Sequence, residues 1–252
     1  MDAEIIQPEG IDLQPEELPV KKTRTRKPKV KEEDNTDALK KVSTAHIRYK
    51  TSTGAVVPGT TTITGLLAKP FLITWANRLG LEGIDSTKYR DEAADIGTLA
   101  HAMVQAHLQK ETLDFTNYTA LQIDLASNAV LSYYEWEKNH TVVPILCEVP
   151  LVSDVNGYGG TIDCYCLLDG EYTLLDFKTG KAIYDEFLVQ LAAYKELLVE
   201  HGHPVDKCRI LRIGRDETEG FEERAITATD KYFGIFKHLL GVYMLKKEVK
   251  WS

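Results

Sequence analysis

Two β-rich runs joined by a tight turn constrain this chain more than any other feature. Residues 159–168 and 172–178 are rich in β-branched and aromatic residues and are separated by Asp169-Gly170, so they read as an antiparallel hairpin. Successive side chains on a strand point to opposite faces; Asp176 and Lys178 therefore emerge together while Phe177 turns into the core. The same hairpin brings Asp163 beside Asp176. Two carboxylates at one end of an apolar sheet repel each other unless a cation lies between them, and hard oxygen ligands of this kind suit Mg²⁺ or Mn²⁺, as one ion or two. An ammonium at Lys178 can orient or help deprotonate an attacking water and offset charge on a phosphate oxygen. Taken alone, Asp-x-Lys reads equally as an exposed ion pair, so the elements around it decide.

Four such elements stand in order. Gly97-Thr-Leu-Ala-His101 lies in a predicted helix over 87–110, where Gly97, Thr98, His101 and Gln105 share a face and the small residues permit close approach to a sheet. From there His101 reaches a metal between the carboxylates, although a helical histidine is also found as a satisfied core or surface residue; His107, on another face, is expected to be one. Gln190 and Tyr194 are one turn apart in a predicted helix over 184–201 and offer an amide and a phenol to water or a phosphate. Glu148, read as the start of a strand over 148–152, is either a supporting carboxylate near the metal or an exposed strand-end acid. Gly157-Tyr-Gly-Gly160 lets another backbone or a substrate come close.

In this order the motifs resemble the RecB-like branch of the PD-(D/E)XK nuclease superfamily, with its Gly-Thr-x-x-His helix, Gly-x-x-Asp strand, Asp/Glu-x-Lys strand and Gln-x-x-x-Tyr helix. The resemblance spans roughly residues 46–215. It implies His101, Asp163 and Asp176 as metal ligands, Lys178 as the catalytic lysine, and Gln190 and Tyr194 as supporting residues. Val57-Pro-Gly-Thr-Thr-Thr-Ile63 and Leu67-Ala-Lys-Pro-Phe-Leu-Ile-Thr-Trp-Ala76 look like the opening segment of phage and mitochondrial single-strand exonucleases of this branch. Gly59 and Thr60 depart from the Pro-Ser-Val-Thr more often found there, which bears on any DNA contact by Thr61 or Thr62. The implied fold is α/β, restriction-endonuclease-like, a central mixed sheet flanked by helices.

The chain of 252 residues, 43% hydrophobic and 27% charged, suffices for one sizeable core, here expected over 42–252. No apolar run approaches the ~20 residues that span a bilayer and no signal peptide is evident, so a cytoplasmic site is expected, a phage-infected bacterium in the setting the resemblance implies. Some relatives carry an iron–sulfur cluster; Cys147, Cys164, Cys166 and Cys208 instead sit in predicted strands as small hydrophobes, and no cluster is expected. Residues 1–41 alternate acidic, basic and acidic blocks with scattered prolines, a composition expected to be disordered. Their basic run, including Lys21, Lys22, Arg24, Arg26 and Lys27, either touches DNA or is solvated linker.

Further elements are expected as a hairpin over 45–57, short helices over 60–69 and 71–79, a long helix over 118–139, strands over 206–214 and 220–226, and a closing helix over 228–247. Residues 42–252 carry 28 acidic against 21 basic side chains, which argues against broad duplex binding and for a strand threaded through a narrow site. The expected activity is Mg²⁺- or Mn²⁺-dependent DNA exonuclease action in recombination, repair or DNA turnover, on DNA that is single-stranded or has a free end. Open beside it stand a structure-specific endonuclease on the same fold, a DNA-binding module without catalysis, and a protein whose tail recruits a single-strand annealing or recombination protein.

Overall fold

The computed structural model describes residues 40–41 and 47–249. The disorder expected of 1–41, and the basic run within it, fall outside the described residues apart from the backbone of the last two. In chain order the elements are β1 (Lys40–Lys41), α1 (Thr60–Thr64), α2 (Phe71–Leu81), α3 (Ser86–Gln109), β2 (Leu113–Asp114), α4 (Ala120–Glu137), β3 (Val142–Ser153), β4 (Tyr158–Leu168), β5 (Glu171–Lys178), α5 (Asp185–Glu200), β6 (Lys207–Ile213), β7 (Phe221–Ala225) and α6 (Thr229–Glu248).

A five-stranded sheet in the order β3-β4-β5-β6-β7 organises the protein. The first three strands form an antiparallel meander, with the expected turn at Asp169 and Gly170, both at positive φ. β5 and β6 are parallel, joined by α5, and β7 returns antiparallel to β6. The sheet is therefore mixed, and helices cover both faces. Alternation along the strands divides the core: Leu175, Phe177, Leu211 and Ile213 pack with α3 and α4, whereas Leu174, Ile162, Ile210 and Tyr165 pack with α5 and α6.

Local chemistry sets the helices that reach the site. Asp85 caps α3 by accepting from the Thr87 and Lys88 amides, and the helix stops where Lys110 turns left-handed at φ 58°. Thr119 and Gln122 close a reciprocal capping box at the start of α4.

The structure departs from the expected elements at three places and agrees on the cysteines. α1 ends at Thr64 because Gly65 takes the C-cap, so the helix expected to run to residue 69 is one turn long. β3 starts six residues before Glu148, which places that residue inside the strand. The hairpin over 45–57 reduces, where described, to a bridge between Lys50 and Val56. The four cysteines are free and buried, three in the α3/α4 core and Cys208 across the sheet from them.

Candidate metal and catalytic site

The strands open where the acids stand. Pairing of β3 with β4 runs through Cys147–Cys164 and resumes at Val149–Ile162, skipping Glu148 and Asp163; pairing of β4 with β5 stops at Cys164–Leu175. Glu148 adopts φ 53°, a left-handed conformation that costs a β-strand residue about 1–3 kcal/mol. In place of a ladder bond, the Phe177 amide donates to Asp163 Oδ2 at 2.9 Å. This break turns two acids out of the sheet toward α3.

α3 approaches the same point. A Cβ on Gly97 would lie 2.6 Å from Thr179 Oγ1, so glycine lets the helix sit this close to the end of β5 without displacing the Thr179 side chain. One turn later His101 Nδ1 stands 3.6 Å from Asp163 Oδ2, and its ring meets Phe177 edge-on. His101, Glu148 and Asp163 each offer a ligand atom within 4.8 Å of the others. Asp176 is not in that trio: its carboxylate is engaged by Lys178, whose Nζ lies 2.5 Å from Oδ2. Among the described residues no donor other than this ammonium reaches the buried Oδ2. Of the sequence-derived ligands, His101 and Asp163 thus converge as expected, Glu148 joins them directly instead of standing behind them, and Asp176 faces Lys178.

Gln190 and Tyr194 of α5 are both buried and close the site from the other side. The Gln190 amide donates to the Tyr194 hydroxyl at 2.9 Å and approaches Asp176 Oδ1 at 3.5 Å. Tyr194 lies against Gly160, where a Cβ would come within 2.4 Å of Cε1 of the ring and 2.9 Å of Thr60 Oγ1. Gly160→Ala should cost about 1–3 kcal/mol by overpacking and push Tyr194 off Gln190. Denaturant unfolding of the variant measures this, and an unchanged midpoint would contradict the close fit.

The electrostatics follow from burial. Desolvation, then the Lys178 ammonium, hold the His101 pKa down at about 4, so the ring is neutral with a lone pair available near pH 7. Burial pushes Asp176 up to about 6, against the pull of Lys178 and with a push from Asp163; burial likewise raises Asp163 against Lys178 and the Phe177 amide. Burial works against the Lys178 charge too, but the Asp176 and Asp163 carboxylates outweigh it and raise its pKa. The phenol of Tyr194 is raised by burial and by the same two acids, so it stays protonated.

Thr61 and Thr62 are exposed on α1, while Thr60 is the buried one and donates to the Gly159 carbonyl at 2.9 Å. His107 bonds Glu137 at 2.7 Å beside Tyr133 and Tyr134, as a satisfied surface histidine away from the carboxylates. Sequence reasoning missed Tyr49, whose ring covers Gly159 and whose hydroxyl bonds Thr161 at 2.9 Å, and Phe187, under the Lys178 ammonium at 5.0 Å. The Gly159-Gly160 pair signalled a close neighbour, but nothing in the chain says which ring fills the space.

No family model and no curated protein sequence matches the chain. Among solved structures, an alkaline exonuclease (LHK-Exo) from Laribacter hongkongensis is similar at 14% identity, covering 63% of this chain and 86% of that one at a TM-score of 0.35. A candidate exonuclease from Eubacterium rectale shares 14% identity over 74% of this chain and 70% of its own, at 0.36. SSO0001 shares 14% over 61% and 74%, at 0.31.

Proposed function

We propose that this chain is a divalent-metal-dependent deoxyribonuclease that degrades DNA from an end. The observation that carries the reading is the convergence of His101, Glu148 and Asp163 at a break in the sheet, beside the buried Asp176–Lys178 pair. One neutral imidazole and hard carboxylate oxygens fit Mg²⁺ or Mn²⁺, and the strained Glu148 backbone is the local cost of aiming a third ligand. A divalent ion held there supplies Lewis-acid activation of water and of a phosphoryl oxygen.

The remaining steps belong to the side chains. Asp163 is oriented by the Phe177 amide, and Gln190 orders Tyr194 beside Asp176. Lys178 remains an ammonium, so its service is to stabilise charge growing on the phosphoryl oxygens and to orient the water rather than to take its proton. The acidic balance of residues 42–252 disfavours an extended duplex and supports a single strand entering by its end. Linear single strands should therefore be degraded while closed circles of equal length persist; rapid cutting of circles would replace this reading with an endonuclease on the same fold.

Metal affinity should depend on pH. Asp176 must give up its proton to take part, so with a pKa of about 6 the Mn²⁺ affinity should be roughly tenfold lower at pH 5 than at pH 7.5. In the metal-free protein the native state holds this proton between about pH 4 and 6 when the unfolded chain has lost it, so the Asp176 contribution to stability falls as pH rises through that window. His101, depressed to about 4, contributes in the opposite sense between about 4 and 6.5. Calorimetric Mn²⁺ titrations at the two pH values check the first point; equal affinities would contradict it.

For the tail, removal of residues 1–41 should weaken DNA capture at low salt. Every phosphate that the tail no longer neutralises should make the salt slope of binding shallower by about 0.7–0.9. An unchanged slope would make the run from Lys21 to Lys27 a solvated linker or a site for a protein partner.

A further inference from the structure

A line of aromatic rings leads away from Lys178. Its ammonium lies 5.0 Å from the centre of Phe187; Phe187 meets Tyr184 at 5.7 Å, and Tyr184 stacks on Phe71 at 5.0 Å with planes 8° apart. Phe71 and Trp75 stand one turn apart on the same side of α2. Trp75 meets Tyr89 edge-on at 6.0 Å, and Tyr89 lines a cavity of about 350 Å³ together with Ile96, Lys181 and Arg215. Both ends of the line therefore carry cations. Lys178 is paired with Asp176 at 2.5 Å and Arg215 with Glu219, and Glu92 and Asp216 also line the cavity, which leaves the exposed Lys181 as the cation there outside these two pairs. Phe71 is 44% exposed and Tyr89 39%, an exposure of apolar surface that packing within the domain does not explain.

From these observations we infer that Phe187, Tyr184, Phe71, Trp75 and Tyr89 form a stacking track for the bases of a single nucleic-acid strand, running between the Lys178 site and the cavity at Lys181 and Arg215. Exposed ring faces such as those of Phe71 and Tyr89 suit any base, because each base has a π-face, and the exposed Lys181 suits a phosphate. The inference rests on the nuclease reading for its substrate class and adds to it what holds the strand.

The test is binding in chelator, where no cleavage occurs, of a single-stranded oligodeoxynucleotide and of an equally long strand of abasic sugar phosphates. The full chain should prefer the strand with bases by more than tenfold and lose tryptophan fluorescence on binding it. Phe71→Ala and Trp75→Ala should each weaken binding of that strand by about five- to a hundredfold while leaving the abasic strand's affinity near its starting value. Trp75→Phe should keep the affinity and lose the quenching, which separates a stacking role from a folding defect. Trp136, the other described tryptophan, is 7% exposed and should respond little. Equal affinity for the two strands, binding of neither, or full affinity in both alanine variants would overturn the track and leave the α2 surface to a protein partner. Hydrolysis of bis(4-nitrophenyl) phosphate with Mn²⁺, an ester too small to span the rings, tests the nuclease reading separately.

Discussion

Lys178→Ala should lower DNA hydrolysis by about 10²–10³-fold, with affinity for DNA in chelator changed only a few-fold. The lysine is held by its neighbours as a cation pointed at the place where negative charge grows on the phosphate, so its removal is felt in turnover more than in binding. The substitution also acts on the metal site. Without the ammonium, the Asp176 carboxyl loses its counter-charge and is pushed further upward, which weakens any metal there at low pH. The assay therefore belongs near pH 8 with saturating Mn²⁺. A variant that retains most of its turnover under those conditions would remove Lys178 from the chemistry.

Asp163→Asn and Asp176→Asn should each reduce hydrolysis by about three orders of magnitude or more, and yet differ in stability. At position 163 the amide oxygen still accepts from the Phe177 amide, and the repulsion between the two acids is gone, so the metal-free variant should melt at or above the wild-type temperature. At position 176 the substitution strips the Lys178 ammonium of its nearest partner in a buried site. Breaking one half of a buried pair costs about 3–5 kcal/mol, and somewhat less here because the Lys178 side chain is 15% exposed. Thermal melts in chelator distinguish the two, and a rise for both would mean that the Asp176–Lys178 contact contributes nothing to the fold.

Much of the fold was legible because its signals are local. The Asp169-Gly170 turn, alternation along 172–178 and the periodicity of 87–110 and 184–201 each act within one element, and the structure shows the corresponding hairpin and helices within a residue or two at most ends. Strand alternation likewise placed Asp176 beside Lys178 with Phe177 in the core. What escaped depends on neighbours far along the chain. Glu148 stayed open between a supporting carboxylate and a strand-end acid because nothing in its surroundings announces a left-handed residue inside a strand, at the break in pairing opposite Asp163. The same holds for Tyr49 against Gly159 and for the rings joining Phe187 to Tyr89, which meet only once α2 packs its Phe71 against Tyr184 and its Trp75 against Tyr89. The separation of Asp176 from the His101 trio is also a tertiary fact, set by where Lys178 reaches.

The most direct measurement is hydrolysis of end-labelled single-stranded DNA by the purified chain in Mg²⁺, in Mn²⁺ and in chelator, with Asp163→Asn alongside. The account predicts progressive shortening of the strand with either ion, none in chelator, and none in the variant with any of them. Cleavage that persists in chelator, or that survives removal of the Asp163 carboxylate, would contradict it.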